Sequence, residues 1–341
     1  MMGADTGSPA QRDLAVADAL SLTYTKKTKR FELPALAVPV VDTHAHLMSF
    51  WRADPVGALA RAAAAGVERI VTIWDPLSDA RHAPTAAVYH RLLEEWTSEA
   101  RALYEQGVRE GVVDVSRATP QLFDHVGYLA GVHPYGAPDY NDEAHALVAE
   151  ALDDPLCLGI GEIGLDYHFD ADDNIEAAPH DVQIAAMARQ LALACERNVP
   201  VELHLRHEND DVARTSHEDA YRVLCEVGVP AAGCVLHCFG EDRATAERFV
   251  DLGCYIAFGG AATFKRNDEV REAFAACPLD RIVLETDCPY MAPEPIRGIE
   301  CEPAMICQTA AVLAADRAAR TGEDAETILR AARENALQLF A

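Results

Sequence analysis

The 341-residue chain reads as one α/β domain, a TIM (β/α)8 barrel, on three observations: a repeated rhythm of apolar and helix-like segments, strand-like runs that are apolar without alternation, and polar metal-ligand residues at the ends of those runs. The rhythm begins at Val38 and supplies eight strand-like runs: 38–46, 67–74, 126–134, 157–164, 199–206, 233–239, 254–260 and 281–289. Short apolar runs separated by helices are the pattern of βα units closing on a parallel sheet. Several of these runs are apolar without alternation, as strands buried on both faces should be. A doubly wound sheet is the competing architecture, but it needs a glycine-rich phosphate loop after its first strand, and "VVDTHAHLMSF" contains none.

The intervening stretches carry helical spacing. In Asp181–Arg197 the positions Val182, Ala185, Ala186, Leu193 and Cys195 form an inward face. The long 75–125 connection between the second and third strands repeats Val88, Leu92, Trp96, Ala100 and Leu103 at helical intervals, which predicts a helix packed against the barrel. Residues 1–37 stand outside the repeat as an N-terminal extension expected to be loosely structured. Its "TKKTKRF" (25–31) is the only dense basic run, and we read it as a solvated segment rather than a nucleic-acid contact.

Composition narrows the function. A net charge of −26 repels nucleic acid and anionic membranes over long range unless a local patch or bound metal reverses the sign. No stretch reaches the roughly 18 apolar residues of a membrane helix. The ten cysteines include no CxxC pair, and the N-terminus shows no basic start followed by an apolar core. These features predict reduced thiols and a cytoplasmic location.

The ligand-type residues sit where a barrel converges. His44 and His46 end the first predicted strand, Glu162 the fourth, His204 the fifth, His237 the sixth and Asp287 the eighth. Strand ends of a barrel meet on one face, so positions far apart in sequence become neighbours. Alternation along a strand puts residues i and i+2 on one side, and both imidazoles of a His-x-His pair point into the mouth. Imidazole with carboxylate favours zinc, manganese, iron or cobalt, whereas magnesium prefers mostly oxygen. Four histidines and two carboxylates are too many for one open catalytic ion and suit two.

The blocks "VDTHAHL", "GVHP", "GIGEIGLDY", "VELHLR", "LHCF", "AFGGAATFK" and "VLETDCPY" together resemble the TatD family of metal-dependent hydrolases in the amidohydrolase superfamily, from about residue 38 to the terminal "RENALQLF". The resemblance implies a barrel with a centre of two divalent ions (zinc, manganese or magnesium) used for phosphodiester hydrolysis, most often as a deoxyribonuclease. Carried over by position, it implies that His44, His46 and Asp287 serve one ion, His204 and His237 the second, and Glu162 both. Asp287, holding one ion while touching the nucleophilic water, is the candidate general base. The glutamate stands where other amidohydrolases use a carboxylated lysine. His133 in "GVHP", Arg206, Lys265 and Arg297 are the expected phosphate contacts, and DNA ends or short oligonucleotides the expected substrate. Three departures bear on specificity: Cys301 where relatives often show asparagine, Gly240 in "HCFGE" where they commonly read Ser-Gly, and the long 75–125 connection. The same activated water attacks a carbonyl carbon, so hydrolysis of carboxylic esters, lactones, amides or aminoacyl groups is the alternative activity. A non-catalytic module retaining the fold is a third.

Overall fold

The computed structural model describes residues 15–168 and 176–341; the first 14 residues of the N-terminal extension lie outside the described residues. A two-stranded hairpin, β1 (Thr23–Lys26) and β2 (Lys29–Glu32), precedes eight parallel strands. These are β3 (Val40–Ala45), β4 (Val67–Trp74), β5 (Val126–Ala130), β6 (Cys157–Asp166), β7 (Val201–Arg206), β8 (Cys234–Leu236), β9 (Tyr255–Phe258) and β10 (Ile282–Leu284). Each pairs with its sequence neighbour in one eight-stranded sheet that closes nearly into a barrel with helices between the strands. All eight strand-like runs of the sequence become strands, and β3 and β4 are buried almost throughout, as a two-sided core requires.

Closure between the first and last strands is short and specific. Ala45 bridges Cys288, the His46 N–H donates to the Cys288 carbonyl at 2.7 Å, and the Asp287 N–H donates to the His44 carbonyl at 2.9 Å. One step below, the buried Asp42 carboxylate accepts the N–H of Thr286 at 2.8 Å and its hydroxyl at 2.6 Å. The strand ends that carry His44, His46 and Asp287 are therefore held together by backbone bonds before any ligand is considered.

The barrel interior is filled by Val41, Val71, Leu129, Val235, Ala257 and Val283, and the last helix, Ala325–Leu339, lays Ala336, Leu339 and Phe340 into the same cluster. Asn335 of that helix donates to the Leu279 and Ile282 carbonyls, each at 2.8 Å, and Arg333 pairs with Glu68 at the start of β4. The helix thus plugs the N-terminal end of the barrel and leaves the C-terminal end open.

The 75–125 connection contains a 24-residue helix, Ala86–Arg109, started by Thr85, whose hydroxyl oxygen accepts from Val88 N. Its most buried stripe is Tyr89, Leu93, Ala100 and Tyr104, with Val88, Leu92, Trp96 and Leu103 only partly buried. The predicted helix is present, but the face turned to the barrel is shifted by about one position, with Tyr89 and Leu93 fully buried where Val88 and Leu92 were expected. Tyr89 meets Thr72 and the Ile73 carbonyl through its hydroxyl. In the helix His180–Arg197, Ala186 and Leu193 point inward as expected, but so do Gln183 and Gln190. The described part of the extension is not loose: Val16, Leu20 and Leu33 are buried in the main core, and the basic run forms the hairpin. The cationic side chains can stay in solvent while the apolar positions around them dock.

Gly164 shows how tightly β6 and β7 are paired. Its φ is +144°, and a Cβ there would lie 2.0 Å from the His204 carbonyl oxygen. Gly164→Ala should therefore lower stability by about 2–4 kcal/mol. Chemical denaturation measures this, and a change within experimental error would show that the pairing can open at no cost.

Candidate metal centre

The open end of the barrel gathers the predicted ligand residues. His44 and His46, on β3 and just past it, bring their Nε2 atoms to 3.0 Å from one another. Glu162, from the middle of β6, places Oε2 at 3.8 Å from His44 Nε2 and 3.7 Å from His46 Nε2. Asp287, in the left-handed region at φ 58°, sets Oδ1 3.8 and 3.5 Å from the same two imidazoles. The other oxygen of Glu162 faces the opposite way: Oε1 lies 2.6 Å from His204 Nδ1 and 2.7 Å from His237 Nε2. Those two ring nitrogens are 3.2 Å apart. One buried carboxylate is shared between two pairs of imidazoles.

These separations fit metal binding. Ligands about 2.0–2.1 Å from a tetrahedral ion stand roughly 3.3–3.4 Å from each other. The separations of 3.0, 3.7 and 3.8 Å among His44, His46 and Glu162 scatter around that value. The separations of 2.6, 2.7 and 3.2 Å among Glu162, His204 and His237 are tighter, at charge-assisted hydrogen-bond length. Both trios are able to hold an ion, with Asp287 beside the first and Glu162 common to both.

Electrostatics follow from burial. Desolvation works against the His204 imidazolium, but the Glu162 charge and the hydrogen bonds that the ring donates to Asp166 and Glu162 overcome it and hold its pKa up at about 10. Burial also opposes the Glu162 charge, and the surrounding His237 and His204 reverse this, keeping its carboxyl well below the ordinary range. His44 is pushed well below the usual imidazole value by burial and then by His237. Burial, with His204 next, drops His133 to about 3. Its neutral Nδ1 accepts the Tyr135 N–H at 3.2 Å, so the remaining proton sits on Nε2, which stands 4.0 Å from Glu162 Oε1. His133 therefore presents a donor to the site.

Several groups that the sequence reading did not single out support these side chains. Asp166 Oδ2 lies 3.0 Å from His204 Nε2 and is held by Gln183, which accepts the Asp166 N–H at 2.7 Å and donates to its carbonyl at 2.8 Å. Gln190 brackets Val132 in the same way, and Asp75 accepts the His133 N–H at 3.1 Å. Glu202 Oε1 is 3.4 Å from His44 Nδ1, and Glu285 Oε1 is 3.8 Å from His237 Nδ1. Neither contact is a hydrogen bond, but each places an acid behind a ligand-type imidazole, where a carboxylate would bias its tautomer. The available signal was alternation: Asp42, Glu202 and Glu285 each stand two residues before His44, His204 and Asp287 on otherwise apolar strands.

The four candidate phosphate contacts are less uniform. Arg206 is partly exposed, with one guanidinium nitrogen 3.9 Å from Asp166 Oδ2. Lys265 and Arg297 are exposed, and Arg297 stacks over Phe264 at 4.0 Å from the ring centroid. His133 alone of the four approaches Glu162 directly. Cys301, at the position where the loop departs from the TatD pattern, is fully buried, and its N–H donates to the Pro289 carbonyl at 2.9 Å.

Comparison with known proteins agrees with this architecture. Residues 41–341 match the family model of TatD related DNase. An uncharacterized metal-dependent hydrolase, YabD of Bacillus subtilis (strain 168), is 31% identical over 300 residues, 88% of this chain and 98% of that protein. The 3'-5' ssDNA/RNA exonuclease TatD of Pantoea vagans (strain C9-1) is 33% identical over 217 residues, 62% of this chain and 76% of that protein. Among solved structures, the TatD homologue YJJV of Escherichia coli is 26% identical with a TM-score of 0.63, covering 88% of this chain and 97% of that one. With its sequence blocks, its barrel and its shared-carboxylate histidine cluster, the chain belongs to the TatD family of metal-dependent hydrolases.

Proposed function

We propose that this protein is a divalent-metal-dependent phosphodiesterase that acts on nucleic-acid ends or short oligonucleotides. The observation that carries this reading is the division of Glu162 between two histidine pairs, Oε2 toward His44 and His46 and Oε1 toward His204 and His237. Divalent ions held there would supply a water nucleophile at neutral pH and Lewis acidity at the phosphoryl oxygens. His44, His46 and Asp287 would hold the first ion, His204 and His237 the second, and Glu162 both. Zinc or manganese suits four imidazoles better than magnesium does.

The chain's own residues do the rest. Asp287 stands at the rim of the first trio, 8% exposed, where it can receive the proton that leaves water as the oxygen attacks phosphorus. His133 donates from Nε2 to a non-bridging phosphate oxygen, and its low pKa keeps it a neutral donor through the physiological range. Arg206, Lys265 and Arg297 bind phosphate around the mouth, Arg206 with Asp166 beside it. The exonuclease named among the relatives acts on single-stranded DNA and RNA, which supports nucleic acid as the substrate class. A second reading, hydrolysis of carboxylic esters, lactones or amides, draws on one observation: the Asp166 carboxylate close to Arg206 partly neutralises a cation that phosphate would need.

Glu162→Gln should empty both ion sites and His237→Ala chiefly one, read as metal per protein by elemental analysis; full occupancy in Glu162→Gln would remove the bridging role. Metal-stripped protein reloaded with zinc, manganese or magnesium should cleave short single-stranded DNA, and Asp287→Ala should lose at least about 100-fold in kcat. Cleavage of carboxylic esters alone would transfer the assignment to the second reading. Because the His204 pKa lies near 10 in the metal-free site, loading near neutral pH must displace its proton. Calorimetry in buffers of different ionisation enthalpy should show release of about one proton per protein, and apparent metal affinity should rise with pH up to the His204 pKa.

A further inference from the structure

An aromatic and cationic surface adjoins the candidate metal centre and has no role in holding metal. Trp51 is 55% exposed and Tyr290 48%, with ring centroids 5.9 Å apart. The Tyr290 ring lies 6.1 Å from that of His46, so the pair forms a step leading out of the metal site. Trp51 is held on a pinned loop. The Glu300 carboxylate accepts three consecutive backbone N–H groups, from Trp51 at 2.6 Å, Arg52 at 3.0 Å and Ala53 at 2.8 Å. A large ring kept in solvent on a backbone fixed in this way loses hydrophobic burial and gains a preset contact surface.

The loop that follows Tyr290 also carries Arg297 and touches the basic run of the N-terminal hairpin. Lys26 of the N-terminal hairpin donates from Nζ to the Pro295 carbonyl at 3.0 Å, which seats the basic run against the loop carrying Arg297 and Glu300. Lys27, Lys29, Arg30, Arg52, Lys265 and Arg297 are exposed, and none forms an ion pair among the described residues. Most other arginines of this chain, such as Arg61, Arg101, Arg214 and Arg320, are matched with acids. The two rings are tilted at 48° rather than stacked on each other, which leaves ring faces for bases. Exposed aromatic rings with cations nearby are the combination that binds single-stranded nucleic acid, the rings taking bases and the cations tracking phosphates.

We propose that Trp51 and Tyr290 form a base-stacking platform that seats the nucleobase next to the scissile phosphate of a single strand, with the hairpin cations along the outgoing backbone. This rests on the phosphodiesterase reading and adds to it a requirement for bases. A duplex end would first have to unstack, so the preferred substrate is single-stranded.

The test compares a short single-stranded oligodeoxyadenylate with an abasic chain of equal length, using the metal-loaded full-length protein. The wild type should prefer the base-bearing chain roughly ten-fold or more in kcat/KM. Trp51→Ala should collapse that preference toward unity, mainly through KM, and Trp51→Phe should keep most of it. An equal kcat/KM for both chains in the wild type, or an undiminished preference in Trp51→Ala, overturns the platform. If neither chain is cleaved with any ion, the phosphodiesterase reading falls by itself, and binding decides the platform. Trp74 is fully buried and Trp96 partly buried, so quenching of tryptophan fluorescence by added oligonucleotide reports mainly on Trp51. Quenching by the base-bearing chain and not by the abasic one supports the platform, and no quenching by either overturns it.

Discussion

The joining of the first and last barrel strands is the constraint on which the site depends. A parallel sheet left open has two edges with unpaired backbone groups; here the edges meet through Ala45 and Cys288, through the N–H groups of His46 and Asp287, and through the Asp42 carboxylate on Thr286. The same few residues carry His44, His46 and Asp287. Fold closure and assembly of the first ligand group are thus one event. A barrel that failed to close would leave Asp287 on one edge and both histidines on the other.

Below the open end lies a layer that few soluble proteins tolerate. Asp42, Glu202 and Glu285 are fully buried beneath the ligand histidines. Burial pushes the carboxyl of Asp42 up to about 7, and burial together with neighbouring acids drives Glu202 and Glu285 well above the ordinary range. Uncompensated acids in an apolar interior oppose folding. Their placement is intelligible as the counterweight to positive charge above them, transmitted through imidazole rings whose outer nitrogens face the mouth and whose inner nitrogens face these carboxylates. Because the chain carries a net charge of −26, the proposed anionic substrate would have to be held by charge gathered locally at the mouth.

The long second connection and the N-terminal hairpin both adapt the barrel exterior without entering the ligand cluster. Tyr89 of the connection reaches Thr72, whose hydroxyl oxygen in turn accepts the Leu47 N–H, so this helix buttresses the loop that follows the histidine pair. Lys26 anchors the hairpin at the Pro295 carbonyl, on the loop that follows Tyr290. Among the described residues no helix is long and apolar enough to cross a membrane.

The sequence by itself determined the order and number of barrel strands and the identity of the six residues that meet at the mouth. Those depend on local signals: apolar runs, helical spacing, and polar ligand types at strand ends. It did not reveal the buried glutamines Gln183 and Gln190, the one-position rotation of the Ala86–Arg109 helix, or the docking of the basic run as a hairpin. Each of these rests on a polar group finding a partner distant in sequence, and hydropathy patterning assigns such groups to solvent. The tertiary structure alone decided which oxygen of Glu162 faces which histidine pair, because that depends on the register of β6 against β7 and on the closure of the sheet. Spacing along one strand contains no information about the strand beside it.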